Sequence, residues 1–172
     1  MAINFRNFTN DLSNFFESYS ARNGKDTARF ITNLYITNVL QGTDVPFRNV
    51  ILKFNNAALE NALNNAFNIA FVGNTNHFSQ VVSMGLIGFW SGGTLALAVP
   101  PPGSISVVSN IITNPGVPQT IRTRNTTSFR EFANELVQMF RRHMATLQGI
   151  TIALVPTPTG TIPTQFLWLS YR

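Results

Sequence analysis

The feature that most limits how this chain can fold is the absence of charge from two long segments. Between Asn61 and Ile121 there is no Asp, Glu, Lys or Arg, and only His77 can ionise. A second segment, from Met144 to Tyr171, contains no charged residue. A soluble monomer normally covers its exposed surface with charges of both signs. We therefore expect these segments to lie in a large core with polar, uncharged loops, to lie against other subunits, or both, because charges are depleted at the centres of interfaces.

The composition indicates an ordered domain. A chain of 172 residues is long enough for one domain with a hydrophobic core. It contains 15 Phe, which argues against disorder, because disordered chains are poor in aromatic residues. The net charge of +5 arises from a scarcity of acids and permits contact with nucleic acid or an anionic membrane. The absence of cysteine excludes disulfides, thiolate metal sites and thiol nucleophiles.

Hydrophobic periodicity predicts about five amphipathic helices. Apolar residues recur at steps of three and four in each of them. The fourth is apolar on nearly all sides, and Gly85 and Gly88 would allow a neighbouring helix to approach closely. The fifth begins with a capping-box pattern, Ser128 followed by Glu131. The five stretches span residues 5–19, 26–41, 59–70, 76–93 and 128–149.

Two later stretches share one sequence pattern. They read GTLALAVPPPGSI at 93–105 and GITIALVPTPTGTI at 149–162. Each follows a helix that ends at glycine, so the pattern predicts a unit of helix, glycine, short strand and Pro-rich turn at about 76–113 and 128–170. Duplication of a structural unit and convergence on a common loop pattern both explain it. Because proline favours extended backbone and donates no hydrogen bond, we expect two rigid, uncharged arms, 95–113 and 150–172.

The short apolar runs predict strands. ISVVSNIIT follows the first arm sequence and QFLWLS the second, and VILKF at 50–54 is either a short strand or the approach to a helix. We expect the strands to pair into a small sheet beside the helices. The predicted fold class is α+β and predominantly α-helical, as a single domain over 1–172 with Pro-rich extended arms.

The sequence contains no recognisable catalytic or metal motif. Neither His77 nor His143 begins a His-Glu-x-x-His pattern, and no phosphate loop or Gly-x-Ser-x-Gly elbow is present. Glu131 and Glu135 lie one turn apart and could share a proton, but the preference of acids for a helix N-terminus explains them better. We expect no enzyme activity, no catalytic residue, no metal ligand and no cofactor.

Two other functional classes remain open. Arg122, Arg124, Arg141 and Arg142 are candidate contacts to nucleic acid, although they lack the interleaved aromatics of a single-strand binder. The uncharged stretch 81–99 is about as long as a membrane span. Its central Gly-Gly pair and the absence of flanking Lys or Arg favour a helix followed by a strand. The alternatives are thus a membrane-associated structural protein and a basic nucleic-acid-binding module.

The second half of the chain resembles minor structural proteins of virus particles, of the kind found in tailed phages and large icosahedral double-stranded DNA viruses. The resemblance lies in composition and local sequence pattern. It is carried by the stretches GFWSGGTLALAVPPPG, IITNPGVP and ALVPTPTGTIPTQFLWLSYR. It implies a minor capsid, connector or tail protein whose partners are other copies of itself and other virion proteins. The N-terminus lacks the charged start and apolar run of a secretory signal, so we expect assembly inside the infected host cell and localisation in the virion.

Aromatic anchors and rigid turns are the residues that most often carry interface energy. The interface candidates chosen on this basis are Trp90, Pro100, Pro101, Pro102, Ile105, Val155, Pro156, Phe166 and Trp168.

Overall fold

The described helices and strands alternate along the chain in groups of one or two. The computed structural model describes residues 5–18, 23–40, 49–69, 75–91, 94–97, 107–112 and 128–169. These contain five α-helices and five strands, so the predicted α+β, predominantly helical fold class is confirmed. The elements, in chain order, are α1 (Phe5–Glu17), α2 (Gly24–Tyr35) with a π-helical turn (Ile36–Leu40), β1 (Asn49–Lys53), α3 (Asn56–Ile69), α4 (Thr75–Trp90), β2 (Thr94–Leu97), β3 (Val107–Ile112), α5 (Phe129–Ala145), β4 (Gln148–Thr157) and β5 (Gly160–Leu169).

Polar side chains cap the starts of two helices. The Asn23 side chain accepts a hydrogen bond from the backbone N–H of Asp26 at 2.8 Å and so begins α2. Ser128 does the same for the N–H of Glu131 at 3.2 Å, which confirms the predicted start of α5. Each cap satisfies a backbone donor that the first turn of a helix leaves without a partner.

Each of the five helices packs against two others around one core. The helix α3 packs against both α2 and α4, and α1 packs against α5. Smaller contacts between α1 and α2 and between α4 and α5 complete the connection. The buried apolar residues of all five helices belong to one core cluster.

Aromatic rings fill the centre of this helical core. Tyr35 lies among rings of three other helices: Phe8, Phe140 and the neighbouring pair Phe89 and Trp90. The Trp90 indole Nε1–H donates a hydrogen bond to the Tyr35 hydroxyl at 3.3 Å. A second aromatic cluster comprises Phe15, Phe16, Phe30, Phe67, Phe78 and Phe132.

The predicted close approach at the fourth helix is confirmed. A Cβ atom placed on Gly85 would overlap the Cβ of Ala62 on α3. A Cβ on Gly88 would lie 3.0 Å from the Cβ of Ala58. Small residues on both helices therefore let α3 and α4 pack backbone to backbone.

The strands form one antiparallel sheet in the order β1-β2-β3-β4-β5. Spatial order follows chain order, with α3 and α4 inserted between β1 and β2 and α5 between β3 and β4. The β3–β4 ladder runs from Ile112↔Gln148 to Val107↔Ala153. The β4–β5 ladder is longer and continues to Thr157↔Gly160.

The second predicted arm is wrong as an extended arm, because 148–157 and 160–169 pair with each other as a hairpin of the sheet. Its uncharged, β-prone residues satisfy their backbone groups in the ladder. The first arm begins and ends in β2 and β3, and residues 98–106 between these strands lie outside the described residues. The segments α4–β2–β3 and α5–β4–β5 share one element order. The origin of this repeat, by duplication or by convergence, stays a prediction. The single-domain boundary stays a prediction too.

The uncharged stretch 81–99 is divided between two elements. Its first part belongs to α4, which ends at Trp90, and β2 begins at Thr94, so the predicted helix followed by a strand is confirmed. None of the described helices is long and apolar enough to cross a membrane.

We predict that Gly85→Ala lowers the free energy of unfolding by about 1–3 kcal/mol, because the added methyl overpacks the α3–α4 contact. This loss should appear despite the gain of about 1 kcal/mol that alanine brings to a helix interior. Urea denaturation measures the net change in the free energy of unfolding. Gly88→Ala is the matched control and should have a smaller effect. Combining Gly85→Ala with Ala62→Gly should recover part of the loss, and simple additivity of the two changes would contradict the close approach.

Candidate interaction surface

The end of the β4–β5 hairpin extends past the rest of the described sheet. The last β3–β4 pair is Val107↔Ala153. Beyond it, β4 and β5 pair with each other, and no other described strand joins them. Residues 154–163 are named the ribbon below, and they are the strand residues whose side chains the structure describes.

Two prolines determine which edges of the ribbon carry hydrogen bonds. Pro156 pairs with Thr161, and Pro163 pairs with Leu154. The two proline pairs are two positions apart along the ladder, so both belong to the same one of its two alternating types, hydrogen-bonded or non-hydrogen-bonded. Proline has no N–H to donate, so these cannot be the hydrogen-bonded pairs. The ladder bonds therefore pass through the alternate pairs, and the proline nitrogens lie on the two outer edges of the ribbon. Proline at an outer edge hinders the addition of another strand, so the ribbon offers side chains rather than backbone groups to a partner.

The tip of the ribbon is a tight turn with a glycine in a special conformation. Thr157 pairs with Gly160 across Pro158 and Thr159. Gly160 has a φ of +142°, which L-residues rarely adopt. The Thr157 hydroxyl donates to the Gly160 carbonyl at 2.9 Å. These features fix the conformation of the turn.

The ribbon surface is uncharged and largely apolar. Ile162 is 56% exposed, and its cross-strand partner Val155 is half-buried. Pro156 and Pro163 are exposed on the opposite side of the pleat, where Leu154 is half-buried. Exposed β-branched and proline side chains on a rigid hairpin are suited to insertion into an apolar recess of another protein.

The structure places the predicted interface residues in three different situations. Val155 and Pro156 belong to the ribbon. Trp90 is 1% exposed and packs against Tyr35 and Phe89, so its assignment to an interface is wrong: its ring is covered by its own chain. The other candidates from the first repeat, Pro100, Pro101, Pro102 and Ile105, lie outside the described residues.

The remaining candidates stay predictions. Phe166 and Trp168 lie on β5, where they pair with Thr151 and Gly149. Among the basic candidates, Arg122 and Arg124 lie outside the described residues. Arg141 is exposed and Arg142 is half-buried, both near the end of α5.

Sequence reasoning missed Ile162. It lies between Thr161 and Pro163 in the second Pro-rich stretch, so its neighbourhood was noted but its exposure was not. The available signal was the alternation of apolar residues around the turn, which pairs Ile162 with Val155 once a hairpin is assumed. Met84 on α4 and Phe129 at the start of α5 are also exposed, at 66% and 58%.

His143 has an unusual environment. It is 1% exposed, and its Nε2 has no hydrogen-bond partner in the described structure. Burial lowers the pKa of His143 from its usual 6.5 to about 4. The imidazole is therefore neutral at pH 7. The described residues contain no group of three or more His, Asp or Glu side chains that could hold a metal ion.

Comparison with known proteins gives no relative from which to infer function. No protein-family model, curated protein or solved structure matches the chain. The shape and chemistry of its surfaces therefore carry the functional proposal.

We predict that His143 makes the protein less stable in mild acid. The unfolded histidine binds a proton below about pH 6.5, whereas the folded one does not until about pH 4. Its contribution is present above pH 6.5 and is lost as the pH falls toward 4. Between pH 7 and pH 5 the loss is about 2 kcal/mol.

Urea denaturation at the two pH values measures this loss. His143→Leu removes the titrating group while keeping an apolar side chain of similar size, so its stability should fall less between pH 7 and pH 5. An equal fall in the variant and the natural protein would show that His143 is not protonated preferentially in the unfolded state.

Proposed function

We propose that this protein is a structural component of a virus particle, a minor capsid, connector or tail protein, which acts through contacts between subunits and catalyses no reaction. The observation that carries the proposal is the ribbon, an uncharged hairpin end that extends past the described sheet and exposes Ile162. Its proposed partners are other copies of the chain and other virion proteins, and its proposed location is the virion, after assembly inside the infected host cell.

A ribbon whose shape is already fixed is well suited to contacts in such an assembly. Because Gly160, the Thr157 hydrogen bond and two prolines already fix its shape, little conformational entropy is lost when it docks. Full burial of one side chain such as Ile162 contributes about 1.5–3 kcal/mol. A single ribbon therefore binds weakly, and many ribbons engaged in one particle hold strongly together.

The charge distribution supports the same proposal. The segment 144–171, which includes both strands of the hairpin, contains no charged residue although the chain has a net charge of +5. An uncharged surface avoids repulsion when identical basic subunits meet. The composition and sequence pattern of the second half, which resemble those of minor virion proteins, support the same proposal.

We predict that Ile162→Lys weakens assembly without changing the fold, because it places a charge where the ribbon would dock. The matched control is Gln138→Lys, which adds the same charge at an exposed position of α5. Light scattering in detergent-free buffer at moderate salt gives the mass of each variant, and circular dichroism checks the fold. A larger multimer in the natural protein and the control, but not in Ile162→Lys, is the expected result.

A multimer of equal mass in all three proteins would show that the ribbon takes no part in assembly. A natural protein that forms no species larger than a pair, even at high concentration, would overturn self-assembly as its function. Deletion of residues 150–172 is unsuitable for this test because it removes most of β4 and all of β5.

A further inference from the structure

Asn23 is the one asparagine in the sequence that is followed by glycine. The peptide bond between these two residues is chemically labile, because glycine has no Cβ to hinder the approach of its backbone nitrogen to the asparagine side chain. The Asn23 side chain is exposed, so water reaches it. These properties make Asn23 a candidate for spontaneous deamidation.

Deamidation at this bond needs only water. The Gly24 nitrogen gives its proton to solvent and bonds to the side-chain carbon Cγ of Asn23, and the bond from Cγ to Nδ2 breaks as ammonia leaves with a proton taken from water. Water then opens the succinimide ring that has formed. Cleavage between Cγ and the Gly24 nitrogen gives aspartate. Cleavage at the main-chain carbonyl carbon gives isoaspartate, in which the chain runs through the side-chain carbon.

The capped start of α2 holds Asn23 away from the geometry of this reaction. Its Oδ1 accepts the N–H of Asp26 at 2.8 Å, and its backbone carbonyl accepts both the N–H and the hydroxyl of Thr27 at 3.2 Å. Ring closure requires the Asn23 Cβ and the Gly24 nitrogen to eclipse each other across the Cα–C bond, whereas a ψ of 162° keeps them staggered. The reaction therefore proceeds from conformations in which the first turn of α2 has opened.

The attacking residue is itself packed against α3. A Cβ placed on Gly24 would lie 2.5 Å from Oδ1 of Asn68 and 3.1 Å from Oδ1 of Asn64. The Asn68 Nδ2 donates to the Asn64 Oδ1 at 3.1 Å, so the two side chains form one pair beside the start of α2. Movement of the Gly24 backbone toward the Asn23 side chain has to break this contact as well as the cap.

We propose that Asn23 is a site of spontaneous conversion to isoaspartate, and that the cap of α2 and its contact with α3 set the rate. Isoaspartate inserts a methylene into the main chain and converts the former main-chain carbonyl into a carboxylate. The bonds to Asp26 and Thr27 then lose their geometry, so the modified chain loosens the start of α2 and its contact with α3. This site stands whether or not the protein belongs to a virus particle.

Asn55 provides a matched site in the same chain. It caps α3 as Asn23 caps α2, because its Oδ1 accepts the N–H of Ala58 at 3.2 Å, and its side chain is also exposed. The residue that follows is Asn56, whose Cβ hinders the attack. The two sites share their helix position, cap and exposure and differ in the residue that follows.

We predict that in guanidinium chloride at mildly alkaline pH Asn23 deamidates roughly tenfold or more faster than Asn55, and that folding slows Asn23 by roughly tenfold or more without stopping it. Cleavage after Arg22 and Arg29 releases the peptide 23–29, in which Asn23 is the one asparagine. Mass spectrometry detects the change from amide to acid, and fragmentation distinguishes aspartate from isoaspartate and Asn55 from Asn56.

The two parts of the proposal fail separately. An Asn23 rate no greater than that of Asn55 in the unfolded chain would overturn the site. Equal Asn23 rates in the folded and unfolded chain would overturn control by the start of α2. A folded protein that stays unmodified while the unfolded chain converts fully would overturn Asn23 as a site in the native protein.

Asn23→Asp separates the added charge from the inserted methylene. This variant keeps a capping oxygen and carries the same charge as isoaspartate on an unaltered main chain. Protein enriched in isoaspartate at this position should have a lower thermal unfolding midpoint than the natural protein, whereas Asn23→Asp should not. Equal midpoints in all three, or an equal decrease in the variant and the modified protein, would overturn the role of the inserted methylene.

Discussion

Four helices meet at the ring of Tyr35, and the arrangement of the other elements depends on this contact. The ring packs against Phe8 of α1, Phe140 of α5 and the Phe89–Trp90 pair that ends α4. Its hydroxyl accepts the indole N–H of Trp90, so a buried polar pair is satisfied inside an apolar core. The Asn55 N–H donates to the Phe89 carbonyl at 2.9 Å, which ties the end of β1 to the same place. Loss of this cluster would remove a contact that four of the five described helices share.

The two uncharged segments of the sequence do not share one structural role. The uncharged segments identified in the sequence thus fall into two parts. One contributes to the α3–α4 core contact, and the other forms strands and the ribbon, whose exposed Ile162 is the proposed contact with other chains. The interpretation of the missing charge as a core thus applies to the α3–α4 contact, whereas its interpretation as a contact surface stays a proposal for the ribbon.

Local signals in the sequence predicted the helices well. The three-to-four periodicity and the Ser128 cap are properties of neighbouring residues, and they fixed the number of helices and the start of α5. Trp90 could not be placed, because an all-round apolar helix does not reveal which of its neighbours covers it. The hairpin was mistaken for an arm because Pro156 and Pro158 favour extended, polyproline-like backbone and donate no hydrogen bonds. Proline is tolerated wherever a strand needs no donor, and that depends on register, which is a non-local property.

The central claim is that the uncharged ribbon is a surface where chains meet. The mass of the unmodified protein, measured by light scattering over a wide concentration range at low and high salt in detergent-free buffer, tests it most directly. The account predicts a defined multimer that persists at high salt, because its contacts are apolar and charge screening does not weaken them. A monomer at every concentration, or a multimer that dissociates as salt is added, would contradict it.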